Sequence, residues 1–335
     1  MQQANHREPG LNGCQNLGKV NAIRLARLWA KIIRFCTRHS VYESLHWKKE
    51  GLMTEVKLEN ARLPRNFHKT FIPERQYIHA MLQFASTGKN GDYQYIALKT
   101  GIPTGASSGK APAILDYCRG MGLVTLTNQA RSAVKSPRLT PFGRVVLLED
   151  PYLKEEVTQW IAHLNLCGPL TGADVWYHVF FQGTQTLGNS FRRANLEAYL
   201  RNVYCAQNGK LIGPLVRMYE DPSSFASCGV LNESSNIIKR ISPPVSDEYA
   251  WGYGAWIVDG INTFFPSVDQ ITVTELDRCA GWRTTPGWPI DEFQQVLGLI
   301  ERKEIIRVDR HMNPWILQRG KKAQDLWARV YDDLL

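Results

Sequence analysis

Residues Ile72–Leu153 hold the order of elements that most limits what this chain can fold into. An apolar helix over Pro73–Thr87 places Tyr77, Ile78, Met81, Leu82 and Phe84 on one face at helical spacing. GKNG is a turn, and a second helix over Asp92–Thr100 starts with Asp92 as its N-cap. TGIPTGASSG leads into a third helix, Lys110–Met121, in which Pro112 is tolerated because it sits in the first turn. Gly120 and Gly122 end that helix, and Leu123–Thr127 is a first strand. NQARSAVKSPR follows as a basic loop, and LTPFGRVVLL returns as a strand or opens a helix. Such an order describes a winged helix-turn-helix, in which the third helix enters the major groove and the hairpin touches backbone phosphates.

The C-terminus repeats that order more faintly. A short helix over Thr274–Ala280 precedes a helix over Pro289–Lys303, capped by Asp291, with Phe293, Val296, Leu297 and Ile300 inside. EIIRVDRHMNPWILQRG reads as a two-stranded wing with HMNP at its turn, and Lys321–Leu335 as a closing helix. The two segments share an order of elements, not a close sequence repeat. The expected fold is therefore mainly α with small β-wings: two winged helix-turn-helix modules flanking a helical middle domain. The boundaries fall at 1–52, a basic N-terminal extension; 53–153, a winged-helix domain; 154–266, the middle domain; and 267–335, a second winged-helix-like domain.

In the middle domain, Asp150–Cys167 is a helix with Leu153, Val157, Trp160, Ile161 and Leu164 as its apolar stripe. ADVWYHVFFQGT is an aromatic core helix, Asn189–Ala206 is another helix, residues 207–247 are irregular, and Asp247–Pro266 is a largely buried helix.

The net charge of +9 is unevenly spread, since nine Lys/Arg against three Glu within residues 1–50 supply two-thirds of it. Over Lys19–Arg38, Arg24, Arg27, Lys31, Arg34 and Arg38 share one helical face, opposite Leu25, Leu28, Trp29, Ile32 and Cys36. Met53 begins a string that reads as a natural start, which leaves residues 1–52 outside the functional core. The rest of the chain is close to neutral, so DNA contact must come from local patches. In the two wing modules these are Lys110, Arg119, Arg131, Lys135 and Arg138, then Arg302, Arg307 and Arg310.

Several chemistries are excluded. GASSGK has three residues between its glycines and Ala111 after Lys110, so it is a turn entering a helix and not a P-loop. His68, His79, His163, His178 and His311 are isolated and read as core or surface histidines. The seven cysteines form no C-x-x-C pair, which argues against a zinc site or a disulfide framework and suits a reducing cytoplasm. No apolar run is long enough to span a bilayer, and a membrane role is not expected. Phosphodiester cleavage with Mg²⁺ needs converging carboxylates. The middle domain offers Asp174, Glu197, Glu220 and Asp221 as catalytic and metal-ligating candidates.

The strings FHKTFIPERQYIHAML, SSGKAPAILDYCRGMGLV, LTPFGRVVLLEDPYLKEEVTQWIAHLNL and ADVWYHVFF stand in this order, and over Phe67–Trp315 the chain resembles the SspB-like family. That bacterial family is encoded in DNA phosphorothioation and phage-defence loci. The resemblance is one of hydrophobic pattern and brings no catalytic motif. It implies a Mg²⁺-dependent nickase of double-stranded DNA that opens the strand for sulfur insertion by partner sulfur-transfer proteins. A non-catalytic DNA-binding adaptor of the same system is the first alternative. A winged-helix transcriptional regulator, acting as a homodimer on a palindromic site, is the second.

Overall fold

Twice along the chain, a helical segment, a short strand, two helices and a β-hairpin follow one another, and a third segment has the same order with a one-residue bridge in place of the short strand. The computed structural model describes residues 62–105, 109–127, 132–205, 209–320 and 325–334. The basic helix expected over Lys19–Arg38, the start expected at Met53 and the loop residue Arg131 lie outside them.

The first unit comprises α1 (Arg75–Ser86), α2 (Tyr93–Thr100), α3 (Lys110–Gly120), β1 (Val124–Leu126) and β2 (Pro137–Leu139). Between α1 and α2, Gly91 makes a one-residue antiparallel bridge to Lys135, on the run-in to β2. Asp92 is the N-cap of α2 as expected, its carboxylate accepting the Tyr95 N–H at 2.8 Å. Ile78, Met81, Leu82, Ile96, Ile114, Leu115 and Cys118 bury the inner faces of the three helices.

LTPFGRVVLL divides: its Leu139 ends β2, and Thr140 caps α4 (Pro141–Glu149) by accepting the Gly143 N–H. A Cβ on Gly143 would run into the Leu123 carbonyl, so this helix lies directly on the β1 backbone. The next helix starts later than the sequence suggested. Asp150 takes the N–H groups of Lys154 and Glu155 at 2.7 and 3.1 Å and reverses the chain, and α5 runs Glu156–Leu166.

The second unit was not foreseen. Helix α6 (Asp174–Tyr177), a π-helical turn (His178–Gln182) and α7 (Thr184–Leu187) form its first helical segment. The helix expected over Asn189–Ala206 is divided into β3 (Ser190–Arg192) and α8 (Arg193–Tyr204). The span expected to be irregular holds α9 (Gly209–Glu220), β4 (Leu231–Ser234) and β5 (Ile237–Arg240). The middle region thus has its own antiparallel sheet, ordered β3-β5-β4.

The third unit has α10 (Ala250–Phe264), β6 (Gln270–Thr272), α11 (Val273–Ala280), α12 (Ile290–Arg302), β7 (Ile306–Asp309) and β8 (Ile316–Arg319). Its sheet order is β6-β8-β7, so in both three-stranded sheets the last strand lies in the middle. The bridge from Gly91 to the start of the last strand gives the first unit the same order in outline. Pro289, not Asp291, is the N-cap of α12. The closing helix is also corrected: in the described residues it reduces to a 3₁₀ turn at Leu326–Arg329. That turn packs Trp327 on Phe142 and donates the Trp327 indole N–H to Asp259 at 2.9 Å.

Local chemistry repeats with the topology. The second helix of each unit ends on a left-handed residue, Gly101, Cys205 or Gly281, at φ 68°, 49° and 70°. The first and third units also close their third helices alike. Gly122 and Glu304 both have positive φ, and the following N–H of Leu123 or Ile305 reaches back to the Cys118 or Ile300 carbonyl.

Lys57–Leu335 forms one compact unit by internal contact. Helix α10 lies at its centre, where a Cβ on Gly252 would press on Ile161 and Val157 and one on Gly254 on Ile305. The half-buried Arg240 guanidinium ties the second unit to the third, donating to the carbonyls of Phe180 and Thr285 at 3.3 and 3.1 Å.

Candidate nucleic-acid interface

If these units meet a duplex, the surfaces that matter are the third helices α3, α9 and α12 and the hairpins that follow them. On the first unit most of the basic residues are committed within the protein. Lys110 opens α3, pairs with Glu74 at 2.6 Å and lies over the rings of Tyr77 and Phe71. Arg119 pairs with Asp116 one turn back at 2.8 Å. Lys135 is turned inward and only 5% exposed; its ammonium donates to the Ser132 carbonyl and lies over Tyr93, and burial pulls its pKa down. Arg138 is half-exposed on β2 and reaches the Asn90 side chain at 3.1 Å.

The third unit presents its cations outward. Arg302, at the end of α12, is well exposed and loosely paired with the equally exposed Asp247 at 3.2 Å. Arg310 pairs with Glu301 at 2.8 Å and lies over Trp315 beside the hairpin. Arg307 stands on the outer face of β7, whose residues alternate between core and solvent. The cations best presented for phosphate contact are therefore Arg138, Arg302, Arg307 and Arg310.

The four middle-region carboxylates have separate settings. Asp174 accepts Arg62 Nε at 3.0 Å on one oxygen and the Tyr204 hydroxyl at 2.8 Å on the other, with His178 Nε2 3.8 Å away. Asp221 closes the turn after α9 by accepting the N–H and hydroxyl of Ser223 at 2.9 and 2.7 Å. Those bonds, with help from Arg217, hold its pKa down. Glu197 and Glu220 make no ion pair with Arg193 in the described residues; their charges only add to the effect of Glu233 on its guanidinium. Arg193 makes a two-pronged pair with Glu233, and that hydrogen-bonded pair, with Glu220 and Glu197 beyond it, raises the arginine's pKa. Among the described residues no three His, Cys, Asp or Glu side chains form a group that could hold a metal ion. Arg62, Tyr204 and Glu233 were not singled out from the sequence and Arg193 was expected only as an exposed helix residue, since nothing local marks a residue by a partner so far along the chain.

A second feature lies at the start of α3. Asn66, His68, Lys69, Thr70, Phe71, Pro103, Thr104, Gly105, Gly109, Lys110 and Leu211 line a cavity of about 670 Å³. Leu211 comes from the first turn of α9, so the third helices of two units border one pocket. His68 is 2% exposed, and burial lowers its pKa to about 4, so the ring is neutral at pH 7. His163, deeper in the core, is likewise held at about 3 by burial and by the charge of Arg240.

Two solved structures share this fold. One, described as "Magnesium ion-bound SspB crystal structure", aligns at a TM-score of 0.60 with 18% identity, over 83% of this chain and 90% of that one. The other, "SspB crystal structure", aligns at 0.58 with 18% identity, over 83% of this chain and 91% of that one. The chain has an SspB-like fold. No protein-family model and no curated protein sequence matches it. Among the described residues no helix is long and apolar enough to cross a membrane.

Proposed function

We propose that this protein is a duplex-DNA-binding component of a DNA phosphorothioation-based anti-phage system, and that its three repeated units are winged helix-turn-helix modules. The observation that carries the DNA-binding reading is the recurrence of one topology. In the second and third units a short strand, two helices and a hairpin give a sheet with the last strand central, and the Gly91–Lys135 bridge supplies the same link in the first. A module of this type places its third helix against a groove and its hairpin against phosphates. The outward arginines of the third unit suit that contact. The SspB-like fold, with the hydrophobic pattern the chain shares with that family, supports the phosphorothioation setting.

Strand nicking ahead of sulfur insertion is the activity this setting suggests, with Mg²⁺ as the candidate ion because one fold neighbour is described as magnesium-bound. The described residues do not fit a magnesium site: no three of their His, Cys, Asp or Glu side chains converge, both Asp174 oxygens are engaged by Arg62 and Tyr204, and Glu233 is paired with Arg193.

The test is fluorescence anisotropy on a labelled duplex across a salt series, run beside incubation of supercoiled plasmid with and without Mg²⁺. Salt-dependent duplex binding supports the first part, and Mg²⁺-dependent open circles support nicking. Binding without scission leaves an adaptor. Absence of duplex binding at low salt overturns the reading.

A further inference from the structure

We propose that the cavity between the Phe67–Thr70 loop and the start of α3 is a binding site for a phosphate monoester. The inference is independent of whether the third helices read duplex DNA.

The first observation is an unused donor. The backbone N–H of Thr70 donates to His68 Nδ1 at 3.0 Å, so the proton of the neutral ring sits on Nε2. His68 lines the cavity, and its Nε2 is buried and meets no acceptor at hydrogen-bond geometry among the described residues, although the Arg65 backbone is near enough to the ring to raise its pKa slightly against the effect of burial. Buried donors are nearly always satisfied. The Thr104 hydroxyl, also on the cavity wall, is buried and unpaired in the same way.

The second observation is the charge around those donors. Lys69 is exposed at the rim, and Lys110 contributes the first residue of an 11-residue helix, whose N–H groups and dipole favour an anion. Among the described residues no acidic side chain lines the cavity. Glu74 is paired with the Lys110 ammonium at 2.6 Å and is not among the lining residues.

The backbone is shaped to this geometry. A Cβ on Gly109 would lie 2.5 Å from the Thr104 hydroxyl and 2.7 Å from the Gly105 nitrogen, so only glycine keeps the strand-like approach into α3 this close. Lys69 and Thr70 both have positive φ, at 50° and 75°, a costly conformation for a β-branched residue.

A set made of donors, a helix N-terminus and the exposed Lys69 selects an anion. The volume exceeds that of a bare ion and falls within the range of small-ligand pockets. Phe71, Pro103 and Leu211 supply an apolar wall for the group that carries the phosphate. Two sources share this chemistry: a free nucleotide and the 5′-phosphate of a DNA strand end.

The test is calorimetric titration of the full chain with inorganic phosphate, deoxyadenosine 5′-monophosphate, deoxyadenosine, and a tetranucleotide with and without its 5′-phosphate. Saturable binding of the phosphate-bearing probes only is expected. Tighter binding of the nucleotide assigns the site to free nucleotides, and tighter binding of the phosphorylated tetranucleotide assigns it to strand ends. Lys69→Gln, an exposed change that leaves the core alone, is expected to weaken binding about tenfold. In parallel, the His68 Nε2–H resonance should shift with the same midpoint. Absence of saturable binding, equal binding of deoxyadenosine, or a His68 resonance that stays in place overturns the proposal.

Discussion

The Tyr219 hydroxyl lies 2.7 Å from His163 Nδ1 and accepts the Trp176 indole N–H at 2.9 Å, all within the core. The hydroxyl accepts from the indole and keeps its own proton for the imidazole when the ring carries its proton on Nε2, the tautomer that uses both groups fully. The three residues come from α9, α5 and α6, so one hydroxyl joins the second unit to the helix that precedes it. Tyr219→Phe leaves the indole N–H buried without a partner and His163 Nδ1 with only the weak Cys167 thiol at 3.7 Å, at about 1–3 kcal/mol for each group that loses the hydroxyl. The expected loss is about 2–4 kcal/mol in urea denaturation, seen as a lower midpoint with an unchanged slope. A midpoint equal to that of the parent protein would contradict the assignment of this hydroxyl as donor and acceptor.

The same burial makes stability depend on pH. In the unfolded chain His68 and His163 take up protons near 6.5; in the folded protein they do so only near 4 and 3. Their folded pKa values are depressed, so the unfolded state binds more protons between these limits. Stability is fully present above about pH 6.5 and falls as the pH drops, at up to about 1.4 kcal/mol per pH unit for each ring. Asp116, Asp150 and Asp259, whose burial raises their pKa values above the usual 3.8, oppose this toward the acid end. Site-resolved NMR separates the contributions. Neither imidazole should titrate between pH 7.5 and 5, while the unfolding free energy declines over the same interval.

Gly101 and Gly281 hold the same left-handed position in different surroundings. A Cβ on Gly101 meets nothing within 4 Å, whereas one on Gly281 would lie 2.7 Å from the Thr285 hydroxyl and 2.9 Å from the Phe181 ring. Gly101→Ala should therefore cost only the conformational term, about 1 kcal/mol. Gly281→Ala should cost more, because it also presses the third unit against the π-helical turn. Thermal unfolding of the two variants side by side checks the ranking, and equal losses would mean that this contact is loose.

The contrast between units also explains what could be read without coordinates. In the first and third units the second helix is eight residues long, capped by Asp92 or Thr272, and stopped by glycine, so its signals are local. In the second unit α9 contains Gly209, Gly213 and Pro214, which propensity alone would place in a loop. Burial of Leu211, Ile212, Leu215, Val216 and Met218 overrides it. The hairpin after it turns on Ser235 and Asn236, both at positive φ, without the Asn-Gly pair that marks such turns. The acidic candidates were legible as residue types only. Arg62 neutralises Asp174 from 112 residues away, and no spacing rule reaches that far.

The basic candidates divide along the same line between local pattern and tertiary setting, and the division can be measured. Arg307 projects from β7 into solvent, while the Lys135 ammonium is turned back onto the Ser132 carbonyl and the Tyr93 ring. A cation that neutralises a phosphate releases a counterion, so its loss lowers the slope of log K against log salt by about one. Arg307→Gln is expected to do so on a duplex while leaving thermal stability unchanged, since it breaks no buried contact. Lys135→Gln is expected to do the reverse: an unchanged slope, with stability lowered by loss of the charge-assisted bond, by about 1.5–3 kcal/mol. Anisotropy titrations between 50 and 200 mM salt, paired with melting curves, read both quantities. A flattened slope for Lys135→Gln, or an unaltered one for Arg307→Gln, would place the DNA on a different face from the β7–β8 hairpin.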